Sequence, residues 1–154
     1  IGYNLEGLEI GASFGLVQLK KFKSFSKIRN KNFSLHYNFF KKLNKYFILP
    51  DISKNILTNF LAYPVIIKKN NIFNRKEIQI YLEKNNIQTR PIFSGNILRH
   101  PAFSSITSKK NKINSFVNSD YVMKYGLLIG CHHGLSLDDI DYIHNKVLKF
   151  INTN

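Results

Sequence analysis

Apolar residues in this chain follow two spacings that exclude each other locally, and their alternation constrains the fold more than any other feature. Leu61 to Ile67 (LAYPVII), Ile87 to Phe93 (IQTRPIF) and Leu127 to Ile129 are short, apolar, β-rich runs and read as strands. Pro64 and Pro91 interrupt the first two. Proline brings no N–H to a ladder, so both runs are expected near an edge or a bulge. Helical spacing lies between and after them. Asn74 with Glu77 has the form of a capping box opening a helix through about Asn85, with Ile78, Tyr81 and Leu82 facing inward. Phe116 to Lys124 predicts a short helix ending before Gly126. Ser136 with Asp139 opens a terminal helix whose inner stripe is Ile140, Ile143, Val147, Leu148 and Ile151. The stretch from Ser104 to Asn114, rich in Ser, Lys and Asn, is expected to be an exposed loop. The sum is an α/β arrangement, a small three-strand sheet covered by helices.

The front of the chain is helical in pattern. Leu5, Leu8, Ala12, Leu16 and Leu19 keep a helical spacing, with Gly11 and Gly15 four apart, where a second backbone can approach closely. A basic stretch from Lys20 to Lys31 follows, the solvated part or the end of that helix. Phe33, Phe40, Leu43 and Phe47 indicate a second helix, closed by Pro50. Residues 1–49 are therefore read as a helical segment and residues 50–154 as an α/β domain. No run reaches the roughly 18 consecutive apolar residues of a membrane span.

Composition enters through charge. The 154 residues carry 23 Lys+Arg against 9 Asp+Glu, a net charge of +14. That balance suits an anionic partner, and a basic nucleic-acid-binding module is one reading of it. The competing explanation is compositional. Only Arg29, Arg75, Arg90 and Arg99 are arginines, and the rest of the excess is lysine in a chain also crowded with Asn and Ile, residues that AT-rich codons encode. Arginine is the residue usually chosen for base readout and phosphate forks, so codon bias is preferred over a nucleic-acid surface. The single cysteine, Cys131, forms no intrachain disulfide and fits a reducing cytoplasm. The chain starts Ile1-Gly2-Tyr3 without an initiator Met, which suggests a piece of a longer protein.

Three clusters have residue types suited to chemistry. Gly2-Tyr3-Asn4 lies just before a helix, where an amide and free N–H groups can hold a phosphate or simply cap a turn. Thr89-Arg90-Pro91-Ile92-Phe93-Ser94-Gly95-Asn96, continuing to Arg99-His100-Pro101, sets two arginines, an amide and a glycine turn at a strand end. Arginine offers a planar fork of donors, so this stretch suits an anionic substrate, and equally a loop edged with surface arginines. In Gly130-Cys131-His132-His133-Gly134 the adjacent histidines invite a metal. Neighbours on a strand point to opposite faces, however, so a metal site and a Cys-His nucleophilic pair are both disfavoured against a structural histidine.

The order of these clusters resembles one family. Gly2-Tyr3-Asn4-Leu5 running into Gly15-Leu16-Val17-Gln18-Leu19, with Glu9 between, resembles the opening of the C-terminal part of the DegT/DnrJ/StrS family of PLP- or PMP-dependent nucleotide-sugar enzymes. Ala62-Tyr63-Pro64-Val65, Thr89-Arg90, Pro101-Ala102-Phe103, Asn118-Ser119-Asp120 and Gly134-Leu135-Ser136 continue the match in order. Phe93-Ser94-Gly95-Asn96 with Arg99 and Pro101 looks more like the NDP-4-keto-6-deoxyhexose 3-dehydrase branch than like the aminotransferases.

The resemblance implies the C-terminal domain of a fold-type I PLP-dependent transferase, a small, mainly antiparallel sheet packed with helices, with segment 1–49 linking to a cofactor domain that lies elsewhere. It implies PLP or PMP chemistry on a nucleotide-diphosphate sugar in lipopolysaccharide or deoxysugar biosynthesis, in the cytoplasm, with the catalytic Lys or His upstream of Ile1 and this stretch inactive alone. A homodimer with a shared site is implied by Asn4, which corresponds to the amide that reaches the cofactor phosphate of the neighbouring subunit. Arg90, Asn96 and Arg99 correspond to substrate-binding residues on a loop facing the nucleotide-sugar pocket, where the arginines would neutralise the diphosphate and the asparagine would hydrogen-bond a sugar hydroxyl or keto oxygen. Some dehydrases of this type use an iron–sulfur cluster and an electron-donor reductase, for which one cysteine here is insufficient.

Overall fold

The computed structural model describes residues 7–53, 56, 58–69, 72–103 and 116–153. The element order is α1 (Glu9–Lys42), β1 (Phe47–Ile48), β2 (Ala62–Ile67), α2 (Arg75–Lys84), β3 (Thr89–Pro91), α3 (Val117–Tyr125), β4 (Gly126–Gly130) and α4 (Leu137–Thr153). Short 3₁₀ turns at Ile97–Arg99 and Pro101–Phe103 follow β3. The expected Ser104 to Asn114 loop lies outside the described residues.

The sheet has four strands in the order β1-β2-β4-β3, every pair antiparallel. Tyr63 stands opposite Ile129 and Pro64 opposite Leu128, while Thr89 meets Ile129 from the other side. The proline expectation is met for β3, which is an edge strand. For β2 the reason is subtler: β1 reaches only Ile66 and Ile67, so at Pro64 the strand has a single neighbour and no ladder bond is missing.

Alternation along the strands divides the sheet into two faces. Tyr63, Val65, Ile67, Leu127 and Ile129 are buried beneath α1, α2 and α4. Ala62, Pro64, Leu128 and Arg90 fall on the opposite face, which α3 covers only in part. The core is aromatic. Tyr63 is fully buried, stacks on Phe40 at 5.3 Å and meets Phe33 edge-on at 5.0 Å.

Both capping boxes form. The Asn74 side chain accepts from the Glu77 N–H while Glu77 accepts from the Asn74 N–H, and Ser136 and Asp139 bond reciprocally at the start of α4. Three sequence expectations need correction. The two front helices are one, because the basic stretch from Lys20 to Lys31 holds no glycine or proline to break it. The chain turns after Lys42, and Phe47 is a residue of β1 rather than of a helix, which brings the strand count to four. On α4 the inner stripe includes Phe150, whereas Leu148 is exposed.

Candidate functional site

The turn after β3 is held by a cluster of side-chain bonds. Asn96 is buried, 3% exposed, and both ends of its amide are engaged: Nδ2 donates to Asp120 Oδ1 at 2.8 Å, and Oδ1 accepts from the Leu98 N–H at 3.1 Å. Arg99 grips the same carboxylate with Nε and Nη2, one on each oxygen. The Arg99 guanidinium, and then the Asn96 amide, hold the Asp120 carboxyl down at about 2. His100 Nε2 donates to the Ser94 carbonyl at 2.8 Å, and the Gly95 N–H closes on Ile92 O at 3.2 Å.

Gly95 takes φ +60°, and a Cβ there would sit 2.4 Å from Met123 Cβ, so the turn lies directly against α3. Phe93 takes φ +42° without being glycine, and its ring is 87% exposed.

The structure therefore joins two of the residues singled out in the sequence, Asn96 and Arg99, and joins them to each other through Asp120. Arg90 is separate. It is exposed on β3 and lines a cavity of about 400 Å³ at the end of the sheet, together with Gln88, His132, Asp139 and Tyr142. Its strand is pinned from behind, because Glu83 Oε1 accepts from both the Thr89 N–H at 2.6 Å and the Thr89 hydroxyl at 2.9 Å. Asn4 lies outside the described residues.

Asp120 is the partner that sequence reasoning missed as a functional residue. Its only sequence signal was its place in Asn118-Ser119-Asp120, more than 20 residues from the loop it organises.

The histidines do not assemble a metal centre, and no group of three or more His, Cys, Asp or Glu among the described residues is placed to hold an ion. His133 stacks on Phe25 at 3.7 Å and faces Arg29, whose Nη2 lies 3.3 Å from Nδ1. Desolvation, then the positive Arg29, lower the pKa of His133. His132 Nδ1 accepts from the Gly134 N–H. Cys131 is fully buried, its thiol directed to Phe60 O at 3.6 Å, and burial pushes it up to about 11, so it is no nucleophile at neutral pH.

A second histidine pair, which no spacing in the sequence marks, lies in the core. His36 Nε2 is 3.0 Å from Gly130 O and His36 Nδ1 is 3.0 Å from His144 Nε2. A carbonyl only accepts, so His36 carries its proton on Nε2 and His144 Nε2–H donates to His36 Nδ1. Burial lowers both to about 4, which keeps both imidazoles neutral.

The described residues do not make a complete cofactor site. The cavity beside Arg90 has one arginine, one histidine and one aspartate in its lining and no lysine. No helix among the described residues is long and apolar enough to cross a membrane.

Comparison with known proteins extends over nearly the whole chain. The lipopolysaccharide biosynthesis protein RfbH of Salmonella typhimurium is 29% identical over 154 residues, all of this chain and 35% of that protein. The GDP-4-keto-6-deoxy-D-mannose 3-dehydratase of Escherichia coli O55:H7 is 30% identical over 148 residues, 96% of this chain and 37% of that protein. A solved structure of the E. coli GDP-4-keto-6-deoxy-D-mannose-3-dehydratase with bound hydrated PLP superposes with a TM-score of 0.80 at 30% identity, over 94% of this chain and 36% of that one. The chain thus spans about a third of the length of the relatives it matches. Residues 1–148 match the DegT/DnrJ/EryC1/StrS aminotransferase family, and the chain belongs to that family.

Proposed function

We propose that this chain is the small-domain portion of a PLP- or PMP-dependent enzyme that acts on a nucleotide-diphosphate sugar, and that the reaction is 3-dehydration of an NDP-4-keto-6-deoxyhexose. The observation that carries the reading is the 30% identity to a 3-dehydratase over 96% of the chain, together with the like superposition. The cofactor would supply an electron sink for breaking a C–O bond beside a keto group. The roles of this chain's residues are to bind and to position.

Arg90, exposed at the rim of the sheet-end cavity, is assigned to the diphosphate, for which a planar guanidinium is well suited. Asn96 and Arg99 are assigned a positioning role: with Asn96 Nδ2 and Arg99 Nε and Nη2 committed to Asp120, they fix the loop that faces the substrate. Asn4 is assigned to the cofactor phosphate of a neighbouring subunit in a homodimer. The small domain takes in β1 and the rear of α1, because Phe33, Phe40 and Phe47 share one core with residues beyond 50, so only the front of the 1–49 segment links to the cofactor domain; the enzyme works in the cytoplasm. Any iron–sulfur cluster or reductase would engage residues other than these, since Cys131 is the sole cysteine and is buried.

The test uses the full-length protein with PMP and an NDP-4-keto-6-deoxyhexose. A 3-deoxy product is expected, and a 4-amino sugar formed instead would assign the aminotransferase reaction that the family name describes. Arg90→Ala is expected to raise KM for the nucleotide sugar by about tenfold or more with a smaller change in kcat, since loss of a charge-assisted contact made equally in ground and transition states acts on binding.

A further inference from the structure

Phe93 has no role in the reading above, yet it is the most exposed large apolar residue among the described residues, at 87%. Its backbone is left-handed at φ +42°, a region that a bulky residue enters at a cost and keeps only where its surroundings over-determine it. They do so here. The Gly95 N–H to Ile92 O bond, the His100 bond to Ser94 O and the Asn96–Asp120–Arg99 cluster restrain the turn on both sides of the ring, and Gly95 is pressed against Met123. A rigid frame holds a bare aromatic ring outward.

Beside the ring lies an open cavity of about 510 Å³, within the size range of small-molecule sites. Its walls are apolar where Ile92, Ile97 and Val122 contribute, and polar where Asn118 and Ser119 of the first turn of α3 contribute. Neither the Asn118 amide nor the Ser119 hydroxyl has a hydrogen-bond partner among the described residues. One flat apolar face with an amide and a hydroxyl at its margin suits a planar heterocycle that stacks and is hydrogen-bonded along its edge. Arg90 precedes Phe93 by three residues, at most about 10 Å of extended chain.

We propose that Phe93 is the stacking platform for the nucleobase of the nucleotide sugar, with Asn118 and Ser119 reading the edge of the base. This rests on the substrate class proposed above. A ring stacks on any base, so Phe93 supplies affinity, and the amide and hydroxyl supply the choice among bases.

The experiment measures binding of GDP and of inorganic pyrophosphate to the full-length protein by calorimetry, for the parent, Phe93→Ala, Phe93→Tyr and Asn118→Ala. The expected result is that Phe93→Ala weakens GDP about tenfold or more, that pyrophosphate is unaffected, and that Phe93→Tyr restores GDP binding. Asn118→Ala is expected to alter the ratio of GDP to dTDP affinity and to leave pyrophosphate unchanged. If GDP binds the parent and Phe93→Ala equally, the platform is overturned while the substrate class stands. If Phe93→Ala lowers the melting temperature and weakens both probes, the ring packs against another part of the protein and the proposal fails. If the parent binds neither GDP nor any nucleotide sugar, the substrate class itself fails, and this proposal with it.

Discussion

Helix α1 is two structures in one. Its rear part sends Asn32, Phe33, His36 and Phe40 into the core, a spacing of one, three and four residues that keeps them on one face against the sheet and α4. Its front part, from Glu9 to Lys23, has no buried residue among the described residues, and Ile10, Phe14, Leu16 and Leu19 are all more than 60% exposed. Those four do not share a face. Ile10 and Phe14 lie on one side and Leu19 nearly opposite, so the front half is apolar round much of its circumference. The difference teaches that helix length and helix burial are set by separate means: unbroken propensity extends α1, while only the rear half is anchored by tertiary contacts.

The largest expected effect would break this contrast if it failed. Phe40→Ala removes a fully buried ring and is expected to cost about 3–5 kcal/mol in urea denaturation of the chain. Phe14→Ala, at 67% exposed, is expected to change stability by no more than about 0.5 kcal/mol. Equal losses would mean that the front half is as much core as the rear.

The second effect is confined to the rear half. His36 and His144 are held neutral, with folded values of about 4 below the ordinary 6.5. The sign follows from this: the unfolded chain takes up protons first, so stability is full above pH 6.5 and is lost as pH falls from 6.5 through 4. The slope is at most about 1.4 kcal/mol per pH unit for each of the two protons. Asp120 acts lower, as pH falls from 3.8 through about 2, so the two windows separate. A urea midpoint that stays level between pH 6.5 and 4 would contradict the neutral pair.

The smallest effect has the opposite sign. A Cβ at Gly11 or Gly15 meets nothing within 4 Å, so Gly11→Ala and Gly15→Ala are expected to stabilise the chain by about 0.5–1 kcal/mol each through helix propensity. Destabilisation would show that another surface seats closely on the front half, which was the sequence-based expectation for that pair of glycines.

What the sequence disclosed and what it hid divide by range. Capping boxes at Asn74 and Ser136 are written within four residues and were legible, as were the strands around Tyr63 and Leu128. The two-residue strand at Phe47 was not, because nothing local marks it and only its pairing with Ile67 makes it a strand. At the candidate site, Arg90 is exposed on β3. Asn96 and Arg99 turned to Asp120, a partner 24 and 21 residues away whose position depends on how α3 packs. His36 and His144, 108 residues apart, form a pair that no spacing rule reveals.

Cys131 gives the molecule a clock. Its thiol is sealed at the end of β4 and stays protonated at neutral pH, so a thiol reagent reacts only in those moments when the sheet end opens. With no other cysteine in the 154 residues to blur the signal, the rate of labelling reads out how often the junction of α1, β4 and Phe60 comes apart. Ellman's reagent under native conditions is expected to react orders of magnitude more slowly than with the urea-unfolded chain. A ligand that tightens the cavity beside Gly130 should slow the native reaction further.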